Sequence, residues 1–108
     1  MDEANSAPIR ALLFDDASLA RLDGFVVALG ECIDAIQDSE HSGQLEEAAK
    51  RAADLARDAR SFGLPPLAIA AEQVAASCRG TDPARTHADI VALTDVVLRV
   101  RLGHRGAL

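Results

Sequence analysis

The sequence predicts an all-α protein, an antiparallel four-helix bundle, and three observations carry that expectation. The first is composition. Apolar residues make up 49% of the 108 residues, yet the aromatic ones are three Phe, without Trp or Tyr. Alanine, leucine and arginine are strong helix formers, and small aliphatic side chains suit helix-on-helix packing. The second is periodicity: apolar residues recur at steps of three and four in four separate segments. The third is punctuation, because Gly, Pro and Asp stand where those segments start and stop.

Residues 1–14 read as a lead-in, within which Ile9 to Phe14 allow a short N-terminal helix that lids one end. The bundle proper spans 15–103 and a tail 104–108. Asp15 or Asp16 caps a long first helix, whose seam is Leu19, Leu22, Val26, Leu29, Ile33 and Ile36. Gly24 and Gly30 weaken it by about 1 kcal/mol each if exposed. The stretch DSEHSG, 38–43, is a turn. A second helix follows from about Gln44 to Phe62, with Leu45, Ala48, Ala52, Leu55, Ala59 and Phe62 on one face. Gly63 suits a left-handed C-terminal cap.

Pro65 and Pro66 open the third helix, where a missing N–H costs nothing. Its face is Leu67, Ala70 or Ala71, Val74 and Cys78, and Gly80 ends it. Asp82-Pro83 is a cap-plus-proline start for the fourth. That helix carries Ile90, Val91, Leu93, Val97, Leu98 and Leu102, with Val96 and Val100 beside them, and stops at Gly103. Short connections favour antiparallel neighbours.

A net charge of −6 argues against nucleic acid, which needs a surplus of cations. The basic tail Arg99, Arg101, His104 and Arg105 is read as a complement to a helix dipole. The acidic N-terminus lacks the basic and apolar regions of a secretory signal. Apolar runs fall short of the roughly 20 residues of a membrane span, and a cytoplasmic location is expected, with no membrane partner. Cys32 and Cys78 read as reduced thiols on apolar faces. His41, His87 and His104 are not at ligand spacing, so no metal and no cofactor is assigned.

The stretch RAADLARDARSFGLPP, 51–66, resembles the core motif of the histidine-containing phosphotransfer family, and the resemblance covers residues from about 42 to 102. That motif is His, any residue, Leu, Lys or Ala, Gly, Ser and a small residue, then Leu or Phe and Gly at the helix end. Ala53 falls on the histidine, Leu55 on the leucine, Ala56 on the Lys/Ala position, Arg57 on the glycine, Asp58 on the serine and Ala59 on the small residue. Phe62 and Gly63 match the helix end. The scaffold positions agree while the chemical ones do not.

In this family the imidazole is a covalent carrier, so phosphotransfer does not survive its replacement by alanine. The resemblance therefore implies a non-catalytic module of two-component phosphorelay signalling. Its partner would be a response-regulator receiver domain or a histidine kinase. The expected partner-binding face is Lys50, Ala53, Arg57, Asp58 and Arg60, with Arg57 central because a guanidinium pairs a carboxylate through two hydrogen bonds. Against it stands a solvated helix face held by Glu46–Lys50, Glu47–Arg51 and Asp54–Arg57 pairs. Two other functions stay open: a working phosphocarrier with its acceptor elsewhere, and a structural, homodimerising adaptor unrelated to phosphorelays. The oligomeric state is open too.

Overall fold

A computed structural model describes residues 7–9 and 16–107 of the chain. Four helices follow in order: α1 Asp16–His41, α2 Leu45–Ser61, α3 Pro65–Cys78 and α4 Pro83–Ala107. Each packs on the next, and α4 closes back on α1. The antiparallel four-helix bundle is the fold. No described helix is long and apolar enough to cross a membrane. The expected N-terminal helix falls mainly on residues 10–14, outside the described residues, as does Asp15.

The two hairpin turns around α2 use one device. Gly43 and Gly63 take φ of 74° and 68°, a region that favours glycine. Gly43 N–H donates to the Glu40 carbonyl at 3.1 Å and Gln44 N–H to that of Ser39 at 2.8 Å. Gly63 N–H donates to the Arg60 carbonyl at 3.1 Å, and Leu64 N–H to that of Ala59 at 2.9 Å. Both are Schellman ends, and the second is sealed by the burial of Leu64 beside Ala59. The first displaces the expected turn: Asp38–His41 stay helical, because Ser39 is buried and its carbonyl is used in the cap.

α4 starts as expected. The Asp82 carboxylate accepts from the N–H groups of Ala84 at 3.1 Å and Arg85 at 3.2 Å, and Pro83 occupies the first helical position. The Thr86 hydroxyl donates to the Ser77 carbonyl at 3.0 Å, tying this start to the end of α3.

The core is Leu22, Val26, Leu29, Ile33 and Ile36 of α1 with the faces of α2, α3 and α4. On α2 it is mostly alanine: Ala48, Ala49, Ala52, Ala56 and Ala59, with Leu55. α3 answers with Leu67, Ala68, Ala71 and Val74, and this is the most extensive helix–helix contact. Ala49 and Ala56 lie beside the expected face because α2 packs on two neighbours.

Three expectations need correction. Leu19 is 39% exposed. It precedes Asp23, which pairs with His104, and Phe25, which stacks on Phe62, so it projects past the ends of both neighbours. On α4, Val91, Leu98 and Leu102 are exposed, and the buried line is Ile90, Leu93, Val97 and Val100. One helix side suffices to meet α1 and α3, leaving the rest of the apolar surface outside. Nor does α4 stop at Gly103. It runs to Ala107, so residues 104–107 are helix rather than tail, and His104 sits within it.

Gly103 is instead a crossing point. A Cβ there would collide with the Ile9 carbonyl oxygen. The strap 7–9 crosses α4 here: Ile9 N–H donates to the Arg99 carbonyl at 2.9 Å. Arg99 Nε donates to the Ala7 carbonyl at 2.8 Å, and Ile9 is buried. This contact and the Asp23–His104 pair at 3.0 Å engage two members of the basic tail.

The two glycine environments give opposite outcomes. Gly103→Ala expels Ile9 from its seat and lowers stability by about 1–3 kcal/mol despite alanine's better helix propensity. Gly24→Ala, with nothing within 4 Å of the new Cβ, raises stability by about 0.5–1 kcal/mol. Urea denaturation of both variants measures the contrast; a stable Gly103→Ala protein refutes the crossing.

Candidate functional site

The alanine face of α2 turns inward, so the opposite side faces water. Lys50, Ala53, Arg57 and Arg60 are all exposed there and follow one stripe at steps of three and four. Ala53 is thus an outward methyl near the middle of the second rod. Asp58 is exposed but stands on the other side of α2, where it lines a groove against α1. The structure brings four of the five expected residues together and separates Asp58 from them.

The stripe is less cationic than its residue types imply. Arg57 Nη2 lies 3.2 Å from Asp54 Oδ1, and Arg60 pairs with Glu72 of α3. Lys50 has no ion pair among the described residues. Its expected partner Glu46 reaches across to Arg79 at 3.3 Å, because α3 ends beside the first turn of α2. The Glu47–Arg51 pair forms as expected, at 3.2 Å. The Arg57 and Asp54 side chains are 74% and 66% exposed, so their pair contributes about 0–1 kcal/mol. Either partner can be exchanged for an outside group at little cost.

Beside this stripe, α1 and α2 enclose a groove of about 210 Å³. Phe25, Ala28, Leu29 and Leu55 give it an apolar floor, and Arg51, Asp54 and Asp58 rim it. Phe25 stacks on Phe62 with ring centroids 4.8 Å apart and planes at 22°. The volume is below the roughly 300–1,000 Å³ of small-molecule sites, and fits one or two side chains. Sequence reasoning missed the groove. Phe25, Ala28 and Cys32 form a second line on α1 at steps of three and four, which was available as a signal.

Cys32 is half-buried in this groove and Cys78, the last residue of α3, is buried in the core; both are free thiols. Burial pushes the Cys32 thiol above its ordinary 9.0, with Arg51 opposing and Asp58 and Asp54 adding to the rise. Burial likewise raises Cys78, with Glu40 adding to it and Arg79 opposing. A raised thiol value means little thiolate near neutrality, and so a poor nucleophile. The histidines are elsewhere. His41 ends α1, His87 Nδ1 lies 3.1 Å from Glu40, and His104 Nε2 lies 3.0 Å from Asp23. Among the described residues, no three His, Cys, Asp or Glu side chains converge as a metal site requires.

The thiols give a signed pH dependence. Below 9.0 the folded and unfolded chains both keep these protons. Above it the unfolded chain releases them first, so their contribution to stability is lost as pH climbs past 9.0. Urea midpoints between about pH 8 and pH 10.5 should fall more steeply for the natural chain than for a Cys32→Ser, Cys78→Ala variant. Equal slopes refute the burial account. No family model, no curated protein and no solved structure matches this chain.

Proposed function

We propose that the chain is a non-catalytic docking module of the histidine-containing phosphotransfer kind. It meets a response-regulator receiver domain, or the histidine kinase that feeds one, through the outward stripe of α2, and it carries no phosphoryl group. The observation that carries this reading is the exposure of Ala53 in mid-helix, with Lys50 and Arg57 exposed one turn to either side. A methyl group there supplies no lone pair for attack on a phosphoaspartate. The surrounding surface still offers guanidinium groups to an acidic rim. The reading places the protein in the cytoplasm, where such partners act.

Docking follows from the weakness of the local pairs. Among the described residues Arg57 is held by exposed Asp54 alone, so a carboxylate on a partner can take the guanidinium with two parallel hydrogen bonds. The apolar groove next to the stripe gives the same partner a place for one or two side chains, while Asp54 and Asp58 on its rim favour a cationic neighbour. A small interface of this kind suits a transient signalling encounter. The carrier alternative lacks support from geometry, since none of the three histidines stands on the outward stripe of α2.

Arg57→Glu tests the face. Capture of a cognate receiver should weaken about tenfold or more, while the melting curve stays nearly unchanged because the side chain is 74% exposed. Undiminished capture sinks the proposed surface. Incubation with a radiolabelled phosphoreceiver should leave the chain unlabelled; label on any histidine sinks the non-catalytic part.

A further inference from the structure

The groove between α1 and α2 has two unlike ends. The helices run antiparallel, so Phe25 stands at the end with Asp58, and Cys32 at the end with Arg51. Leu29 and Leu55 are buried beneath the floor, while Ala28 is exposed and Phe25 and Cys32 are half-buried. The Phe25 ring is held in place by its stack on Phe62, so the aromatic end is formed before anything binds.

The charges around the groove do not balance. Arg51 is engaged by Glu47 at 3.2 Å, and Asp54 by Arg57 at 3.2 Å. Those four charges cancel in two pairs. Asp58 is left over. Its main-chain carbonyl accepts from the Ser61 hydroxyl at 2.9 Å, but its carboxylate has no ion pair and no hydrogen bond among the described residues. One uncompensated carboxylate therefore stands beside an aromatic ring and an aliphatic floor, at the end of the groove away from Arg51.

We infer that this groove is a receptor for a single cationic side chain, arginine or lysine, presented by a partner polypeptide. Both side chains bury an aliphatic stem along apolar surface and keep a charged head outside. The stem lies on Ala28, Leu29 and Leu55, and the head sits at the Phe25 end. Asp58 takes its charge there, and the Phe25 ring adds a cation–π contact. A volume of about 210 Å³ admits one long side chain and not a helix. An aliphatic occupant leaves Asp58 unpaired, and an acidic one is repelled by it. The net charge of −6 favours the approach of a cation. The inference deepens the docking reading and rests on it for the identity of the partner, while the ligand of the groove is tested with no partner present.

NMR titration of the isotope-labelled full chain with N-acetylarginine N-methylamide, to about 50 mM at constant ionic strength, tests it. The amide signals of Ala28, Cys32, Leu55 and Asp58 should move together and saturate in the millimolar range, and the probe's methylenes should show contacts to the Phe25 ring. The lysine counterpart should do the same. The norleucine counterpart, which keeps the stem and drops the charge, and the glutamate counterpart should each bind at least about fivefold more weakly. Asp58→Asn should weaken the arginine probe about fivefold or more with melting unchanged, and Ala28→Met, which fills the floor, should abolish the contacts to Phe25. Shifts scattered over the acidic surface, norleucine binding as well as arginine, or undiminished binding by Asp58→Asn overturns the inference. Since no receiver is present, that failure strikes the groove alone, and receiver capture by Arg57→Glu still reports on the stripe.

Discussion

The alanine-lined contact between α2 and α3 is the constraint on which the candidate site depends. Ala48, Ala49, Ala52, Ala56 and Ala59 are almost wholly removed from water, and they pack on Leu67, Ala68, Ala71 and Val74. Side chains this small leave no slack for α2 to rotate about its axis, because any turn brings a charged neighbour into the contact. The rotation so fixed decides that Lys50, Ala53, Arg57 and Arg60 face water. Glycine ends at 43 and 63 then set where the helix begins and stops. An outward stripe on this helix is thus a consequence of packing on its opposite side.

The two faces of the molecule serve different chemistry. On α2 the exposed surface is charged, partly paired within the chain and flanked by a shallow apolar groove, a surface suited to brief encounters that exchange one ion pair for another. On α4 the exposed surface is an apolar seam with a single carboxylate. The charges on α2 are hydrated without a partner, whereas the exposed Val91, Leu98 and Leu102 of α4 leave apolar area in water.

Ile9 and Gly103 show how a remote segment sets local detail. Read along the chain, Gly103 marks the end of a helix. In the fold it is a point of close approach, and the glycine is required by a carbonyl oxygen from the opposite end of the sequence. The same strap engages Arg99, which otherwise reads as a dipole complement. His104, placed beyond a helix end by the sequence, instead meets Asp23 of α1.

Periodicity and punctuation in the sequence were sufficient for the fold class, the order of four helices, the caps at Asp82 and Gly63, and most of the core of α1 and α3. These are local properties, fixed by helical geometry and by backbone conformations that few residues adopt. Pattern alone also put Lys50, Ala53, Arg57 and Arg60 on one side of α2. Tertiary structure alone decided which of two apolar lines on α4 is buried, since both have helical spacing and only the neighbours choose between them. It decided as well that Asp58 faces the groove with Phe25 and Cys32, that Glu46 serves Arg79 instead of Lys50, and that the fourth helix passes through Gly103. Each of those outcomes is set by a contact between residues distant in sequence, which helical spacing does not encode.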